Sequence, residues 1–135
     1  MKLPRKPCKS HLGATMKKLA PGLEGVVADL YWLRTVQYYG GQRAFALEKR
    51  FDLIAPLVDV TVTLDPRMIM PYRLGALFLS ESHPNGAGRP AEGGKLLERG
   101  IAANPREFVL RQDLAFLKAE FQHDHAGAAR VLLEG

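Results

Sequence analysis

The sequence predicts an all-α fold of about three antiparallel helix pairs. Two similar phrases built around a proline, "LDPRMIMPYRLGALFL" from residue 64 and "ANPREFVLRQDLAFL" from residue 103, place Pro66 and Pro105 39 positions apart. Offsets of 4, 3 and 5 residues also recur, in Ile54, Val58, Thr61 and Pro66; in Gly93, Leu97, Gly100 and Pro105; and, as offsets of 4 and 3, in Ala128, Leu132 and Gly135. Self-similarity at a fixed period is the signature of a helical repeat.

The first two helices are placed by residues that end or begin a helix. One helix is expected over about 23–39, where Gly40-Gly41 end it, and residues 42–51 form a linker or a short helical extension. The second covers 52–64, with Pro56 close to its first turn, where a missing N–H costs little. Its "TVTL" stretch has strand propensity, which the repeat register overrides.

Prolines place the remaining helices near 69–80, 90–103, 107–122 and 126–135. Pro66 and Pro105 suit the turns between repeats, because proline fixes φ and has no donor. Pro71 and Pro90 fall in first turns. Asn104 is predicted to cap the helix that follows it. Residues 81–89 form a lengthened turn that explains the 39-residue spacing.

Small residues inside these helices predict close helix packing. Gly75 would cost about 1 kcal/mol relative to alanine in an exposed helix. It is expected where a larger side chain would push the partner helix away, and Gly93, Gly100 and Ala115 have the same interpretation.

These residues resemble the tetratricopeptide repeat family, whose signature runs Trp-x2-Leu-Gly-x2-Tyr, Ala-x3-Phe-x2-Ala and then Pro. The resemblance covers about residues 52–135 and is best over 64–105, although Tyr72 stands one residue too close to Gly75 and Lys118 replaces the second Tyr. The segment "ADLYWLRTVQYYGG" also looks like a set of bacterial tetratricopeptide proteins to which we can attach no activity. The resemblance implies a right-handed solenoid.

The family binds peptides or proteins in a groove lined mainly by the first helix of each pair, and the resemblance implies such a groove here. The positions that match the family's groove are Ile69, Tyr72, Ala76 and Leu79 in one repeat, and Val109, Gln112, Phe116 and Glu120 in the next. The family's chaperone-binding subset uses lysine and asparagine to clamp a terminal carboxylate. Those residue types are missing at the matching positions, so an apolar helix or extended segment is expected instead. Each of these side chains is equally expected to be simple core between repeats.

Basic residues are concentrated at the start of the chain. Six precede the first acidic residue, Glu24: Lys2, Arg5, Lys6, Lys9, Lys17 and Lys18. Removing them from the 19 basic residues leaves 13 against 14 acidic ones. Residues 1–20 are expected to be a disordered arm, followed by one helical domain over 21–135. The alternative function is binding of nucleic acid or an anionic surface through this arm.

Catalytic and metal chemistry have little support in the sequence. His123-Asp124-His125 is the most metal-like cluster, but it falls at an expected turn, and one Glu-x-x-His step does not make a di-iron site. "GAGRPAEGGK" lacks the order of a phosphate-binding loop. Cys8 is the single cysteine. We therefore expect no enzyme activity, cofactor or metal.

The expected function is a non-catalytic scaffold that binds a protein or peptide partner. Tyr31, Trp32, Tyr38 and Tyr39 are expected to pack in the core and to cover one end of the solenoid. The open ends allow a homo-oligomer, and the chain is expected to stop inside its last helix, so it is either a fragment or is covered by a second copy or partner. No signal peptide or membrane span is recognised, which favours the cytoplasm by default.

Overall fold

The computed structural model describes residues 22–134, and within that range it contains six α-helices and no strand. The helices are α1 (Glu24–Ala44), α2 (Ile54–Leu64), α3 (Ile69–Ser80), α4 (Pro90–Ala103), α5 (Phe108–Glu120) and α6 (His125–Leu133). The all-α prediction is confirmed for this part of the chain. The predicted basic arm, residues 1–20, lies outside the described residues.

The proline-based helix boundaries agree closely with the structure. Both α3 and α4 have the predicted limits, and Pro90 is the first residue of α4. Pro71 lies in the first turn of α3, where its missing N–H has no helical acceptor to lose. The strand-prone "TVTL" stretch is the last turn of α2, so tertiary packing overrides its local propensity.

The predicted end of the first helix at Gly40-Gly41 is wrong, because α1 continues to Ala44. The ammonium group of Lys49 folds back against the end of this helix. It donates hydrogen bonds to three backbone carbonyls, those of Gln42, Arg43 and Ala46. A positive charge at a helix C-terminus is favourable, and these bonds help to offset the helix cost of two glycines.

Asn104 does not cap α5 as predicted. No side chain caps that helix, whose first residue is Phe108. The Asn104 amide instead donates to the carbonyl of Gly100, in the last turn of α4, and to the carbonyl of Pro66, in the turn between α2 and α3. Asparagine at the end of a helix can satisfy a free carbonyl as well as a free N–H, and the sequence pattern does not distinguish the two uses.

The helices pack chiefly as neighbours in pairs, α1 with α2, α3 with α4 and α5 with α6. The pairs contact one another through α2 and α3 and through α4 and α5, and α3 also contacts α5. In the pair α3/α4, Gly93 lies against the end of α3 near Ser80, whereas Gly100 lies against Tyr72 near its start. These two helices are therefore antiparallel.

The glycines at these crossings are there for close approach, as predicted. A Cβ atom on Gly75 would lie 3.0 Å from Leu96 of α4 and 3.1 Å from Val58 of α2. A Cβ atom on Gly100 would lie 2.7 Å from the ring of Tyr72, which is too short for any real contact. Real side chains in close-packed interiors cannot overlap in this way, so a larger residue would force the helices apart.

The long turn, residues 81–89, is fixed to α1 by Tyr39. The Tyr39 ring stacks on Phe78 with 3.7 Å between ring centroids, and its hydroxyl donates to the carbonyl of Asn85 at 2.8 Å. Trp32 and Tyr38 of α1 pack against the same core, so the prediction of core packing is confirmed for these three aromatic residues.

Burial raises the pKa of Tyr39 above its usual value of 10.0. Below pH 10 the folded and unfolded chains both hold this proton, and the stabilisation is fully present. As the pH rises above 10, the unfolded chain loses the proton first, so the free energy of unfolding falls through the folded pKa. Tyr72 has a pKa raised in the same direction by burial.

We expect Tyr39→Phe to lower the free energy of unfolding at pH 7 by about 0.5–1.5 kcal/mol. The bond to Asn85 and the longer, partly exposed one from Arg43 are lost, and the stacked ring is kept. Above pH 10 the variant should lose stability with pH less steeply than the wild type, since only Tyr72 of the two shifted tyrosines remains. Urea unfolding at pH 7 to 11, followed by circular dichroism, measures both effects. An unchanged slope above pH 10 would contradict the role given to this hydroxyl.

None of the helices between residues 22 and 134 is long and apolar enough to cross a membrane.

Candidate binding cleft

A cleft lies between α3 and α5, the first helices of two successive pairs. It encloses a cavity of about 340 Å³, within the range of pockets that hold small ligands or single large side chains. The lining residues are mostly apolar: Met70, Arg73, Leu74, Ala76 and Leu77 with Ser80 from α3; Leu97 from α4; Asp113, Phe116 and Leu117 from α5; and Phe121 just after it.

One ion pair connects the two helices at this cleft. Arg73 Nε donates to Asp113 Oδ2 at 2.6 Å, and both side chains are partly exposed. The hydrogen bond to Asp113, followed by the charge of that carboxylate, raises the pKa of Arg73 above its usual value. Partly exposed pairs contribute at most about 1 kcal/mol to stability, so the pair mainly fixes the spacing of α3 and α5.

Two apolar side chains are exposed at the cleft. Phe116 is 55% exposed and Met70 45% exposed. The Phe116 ring makes an edge contact with Phe121, with 6.1 Å between centroids, and has no larger apolar group covering its other side among the residues described. A half-exposed phenylalanine beside an apolar cavity is the kind of residue that anchors partners in protein interfaces.

The cleft also contains a buried polar group without a partner. Ser80 is 2% exposed, and its hydroxyl makes no hydrogen bond within residues 22–134. An unpaired buried hydroxyl costs roughly 1–3 kcal/mol. The hydroxyl lies against Gly93 of α4 and is not accessible from the cavity, so it belongs to the close α3/α4 contact.

The eight groove residues that the family resemblance implied do not lie on one surface: three are buried in the core and five are nearer the surface. Tyr72, Ala76 and Leu79 are 0, 2 and 3% exposed and belong to the core between helices. Among them, Ala76 touches the α3/α5 cavity, whereas Leu79 lines a different cavity between α2 and α4. A ligand cannot contact the ring of Tyr72 in this conformation.

The other five implied residues lie nearer the surface. Ile69 and Val109 are half-buried against the core, and Gln112, Phe116 and Glu120 are exposed. Of these five, only Phe116 lines the α3/α5 cavity. Peptide binding by any of the eight stays a prediction.

Most of the residues that line the α3/α5 cavity come one position after the groove residues that the family resemblance implied. Moving each α3 position forward by one gives Met70, Arg73, Leu77 and Ser80, all of which line the cavity. The same step on the α5 positions gives Asp113, Leu117 and Phe121, which line the cavity, and Leu110, which is buried and does not. One residue corresponds to about 100° around a helix. The position of Tyr72, one residue too close to Gly75, was the sequence signal for this rotation.

The cavity between α2 and α4 has a more polar character. Its volume is about 360 Å³, and Arg99 there pairs with Asp59 at 2.5 Å and donates to Thr63 at 2.8 Å. The second carboxylate oxygen of Asp59 is buried without a partner in the described part of the chain. The ion pair occupies this site, so it is a weaker candidate for a ligand than the α3/α5 cleft.

The His123-Asp124-His125 cluster lies at the turn before α6, as expected. The Asp124 carboxylate accepts a hydrogen bond from the backbone N–H of Gly127 and caps α6, and His123 has a positive φ of 54°. Within residues 22–134 no group of three His, Cys, Asp or Glu side chains is placed to hold a metal ion.

Comparison with known proteins adds no relative. No family model matches the chain, and searches of curated proteins and of solved structures gave no match either.

Proposed function

We propose that this chain is a non-catalytic protein-interaction scaffold in which helix pairs stack as in a tetratricopeptide solenoid. The order of helix contacts supports the proposal, since each pair packs within itself and successive first helices also touch. The turns support it too. Residues 65–68 and 104–107 have the same hydrogen bonds, from the N–H of Met68 to Asp65 and from that of Glu107 to Asn104, 39 residues apart.

The α3/α5 cleft is the proposed binding surface, and its chemistry favours an apolar anchor from a peptide or protein. The observation that carries the proposal is a cavity of about 340 Å³ beside the half-exposed Phe116. An amphipathic helix or an extended segment can insert one large apolar side chain there.

We expect peptides with a large apolar residue to be selected from a random peptide library displayed on phage, with the purified full-length chain as target. For a selected peptide, Phe116→Asp should weaken binding at least tenfold, because it places a charge beside an apolar anchor. Ser80→Ala, which removes a hydroxyl that faces α4 rather than the cavity, should leave binding unchanged. Titration by fluorescence anisotropy measures these affinities.

The matched control is Leu47→Asp. Leu47 is an exposed leucine between α1 and α2 that lines no part of the cleft, so this variant introduces the same charge elsewhere. Its affinity for the selected peptide should equal that of the wild type. Equal weakening in both variants, or no selection of apolar peptides at all, would contradict the proposed cleft.

The second candidate function is binding of nucleic acid or an anionic surface through the basic arm, residues 1–20. The observation that favours it is the group of six basic residues before Glu24. Phosphate contacts release counterions, so such binding falls steeply with salt. Affinity for an apolar peptide in the cleft should change little between 50 and 200 mM salt, which separates the two functions.

A further inference from the structure

The outer face of α1 carries an exposed apolar stripe. It consists of Leu23, directly before the helix, and Val26, Leu30 and Leu33, each between 54 and 59% exposed. The buried residues of α1, Ala28, Thr35 and Tyr39, lie on the opposite face of the helix. Within residues 22–134, no other helix covers the stripe, although Leu30 at its edge lines an open cavity together with Leu57 of α2.

The spacing of the stripe is that of a coiled-coil seam. The four residues are separated by 3, 4 and 3 positions, which are the a and d offsets of a heptad. Single exposed leucines are ordinary on a surface, but four in one line at this spacing form a contiguous patch. Helices that carry such a seam pack against a second helix with the same pattern.

Charges beside the stripe identify the partner and its direction. With Leu23 and Leu30 at a positions, Asp29 occupies a g position and Arg34 the e position five residues later. In a parallel pair of coiled helices, g of one chain faces e of the next heptad on the other chain. Two copies of α1 would therefore form two Asp29–Arg34 ion pairs.

Both charges are available for this contact. Each of the two side chains is exposed, and neither forms an ion pair with another residue of the described part of the chain. An antiparallel pair that kept the same stripe in contact, Leu23 against Leu33 and Val26 against Leu30, would bring the two Asp29 side chains together, like charge beside like charge. The charge pattern thus selects the parallel arrangement.

We infer that α1 is a dimerisation surface, on which a second copy of this chain docks in parallel through Leu23, Val26, Leu30 and Leu33. The seam is short, and the polar Gln37 takes its next a position. Dimerisation through it therefore depends on protein concentration. This surface is separate from the α3/α5 cleft, so it does not rest on the proposed peptide binding.

The test is the mass of the full-length chain in solution, measured by sedimentation equilibrium over a range of concentrations. We expect a reversible dimer for the wild type and a monomer for Leu30→Asp, which changes a side chain already 57% exposed and should leave the fold intact. Leu47→Asp serves as control and should dimerise like the wild type. A monomeric wild type, or a Leu30→Asp variant that still dimerises, would overturn the inference.

A charge exchange tests the pairing. Asp29→Arg and Arg34→Asp should each weaken the dimer, because each brings like charges together, and the double variant should restore it. A double variant as weak as the single ones would show that these two residues do not face each other.

A cysteine at position 33 tests the direction. In a Cys8→Ser background, Leu33→Cys should form a disulfide between copies on mild oxidation, since a parallel seam places residue 33 beside itself. In an antiparallel dimer of the same stripe, residue 33 lies opposite residue 23, so the two cysteines would be about 15 Å apart along the helices and would not link. A dimer that stays unlinked would overturn the parallel arrangement.

Discussion

Tyr72→Ala should lower the free energy of unfolding by about 3–5 kcal/mol, the loss typical of removing a buried aromatic ring. The ring of Tyr72 is fully buried and lies against Gly100. Its hydroxyl also donates to the carbonyl of Pro66 at 2.9 Å. Urea unfolding followed by circular dichroism measures the loss, which is a large part of the stability of an ordinary domain.

Phe116→Ala is the matched control for this substitution. It also truncates an aromatic side chain to alanine, but at a position that is 55% exposed. It should therefore cost far less stability than Tyr72→Ala. Equal losses in the two variants would mean that Tyr72 is as accessible as the family resemblance implied, and would return it to the list of candidate ligand contacts.

Gly100→Ala should destabilise the protein by as much as about 2 kcal/mol. Overpacking a close crossing costs about 1–3 kcal/mol, and the better helix propensity of alanine returns about 1 kcal/mol. The new Cβ would lie 2.7 and 2.8 Å from two ring atoms of Tyr72, which has no free space to move into because it is buried on all sides. Urea midpoints measured at unchanged m-value give the difference.

The same substitution at Gly40 should have the opposite sign. Gly40 lies inside α1, and a Cβ atom there would have nothing within 4 Å. Gly40→Ala should therefore raise the free energy of unfolding by about 0.5–1 kcal/mol. If both variants lost stability, the helix interior at Gly40 would not be as open as the structure has it; if both gained, the contact of Gly100 with Tyr72 would be loose.

Much of the helical framework could be predicted, because prolines and small residues act locally or through simple sterics. Pro90 can begin a helix because its fixed φ already suits the first helical position. Gly75 and Gly100 have no side chain, so they allow two helices to cross closely. The extension of α1 past Gly40-Gly41 could not be predicted. It depends on Lys49, which reaches the end of the helix only after the following segment folds back.

The implied groove coincides with the α3/α5 cavity only in part: of its eight residues, Ala76 and Phe116 line that cavity. On α3 the predicted groove face was wrong by one residue. The prediction named Tyr72, which is buried, whereas the partly exposed Arg73 lines the cavity. A family register carries an uncertainty of about one position when the signature is degenerate, and on a helix one position is enough to turn a side chain from the solvent into the core.

The carbonyl of Pro66 accepts hydrogen bonds from both ends of the α3/α4 pair, from the hydroxyl of Tyr72 in α3 and from the side-chain amide of Asn104 at the end of α4. This single acceptor ties the turn before α3 to the turn after α4. The α3/α4 pair therefore cannot loosen at one end alone, and it should melt as one block rather than fray helix by helix.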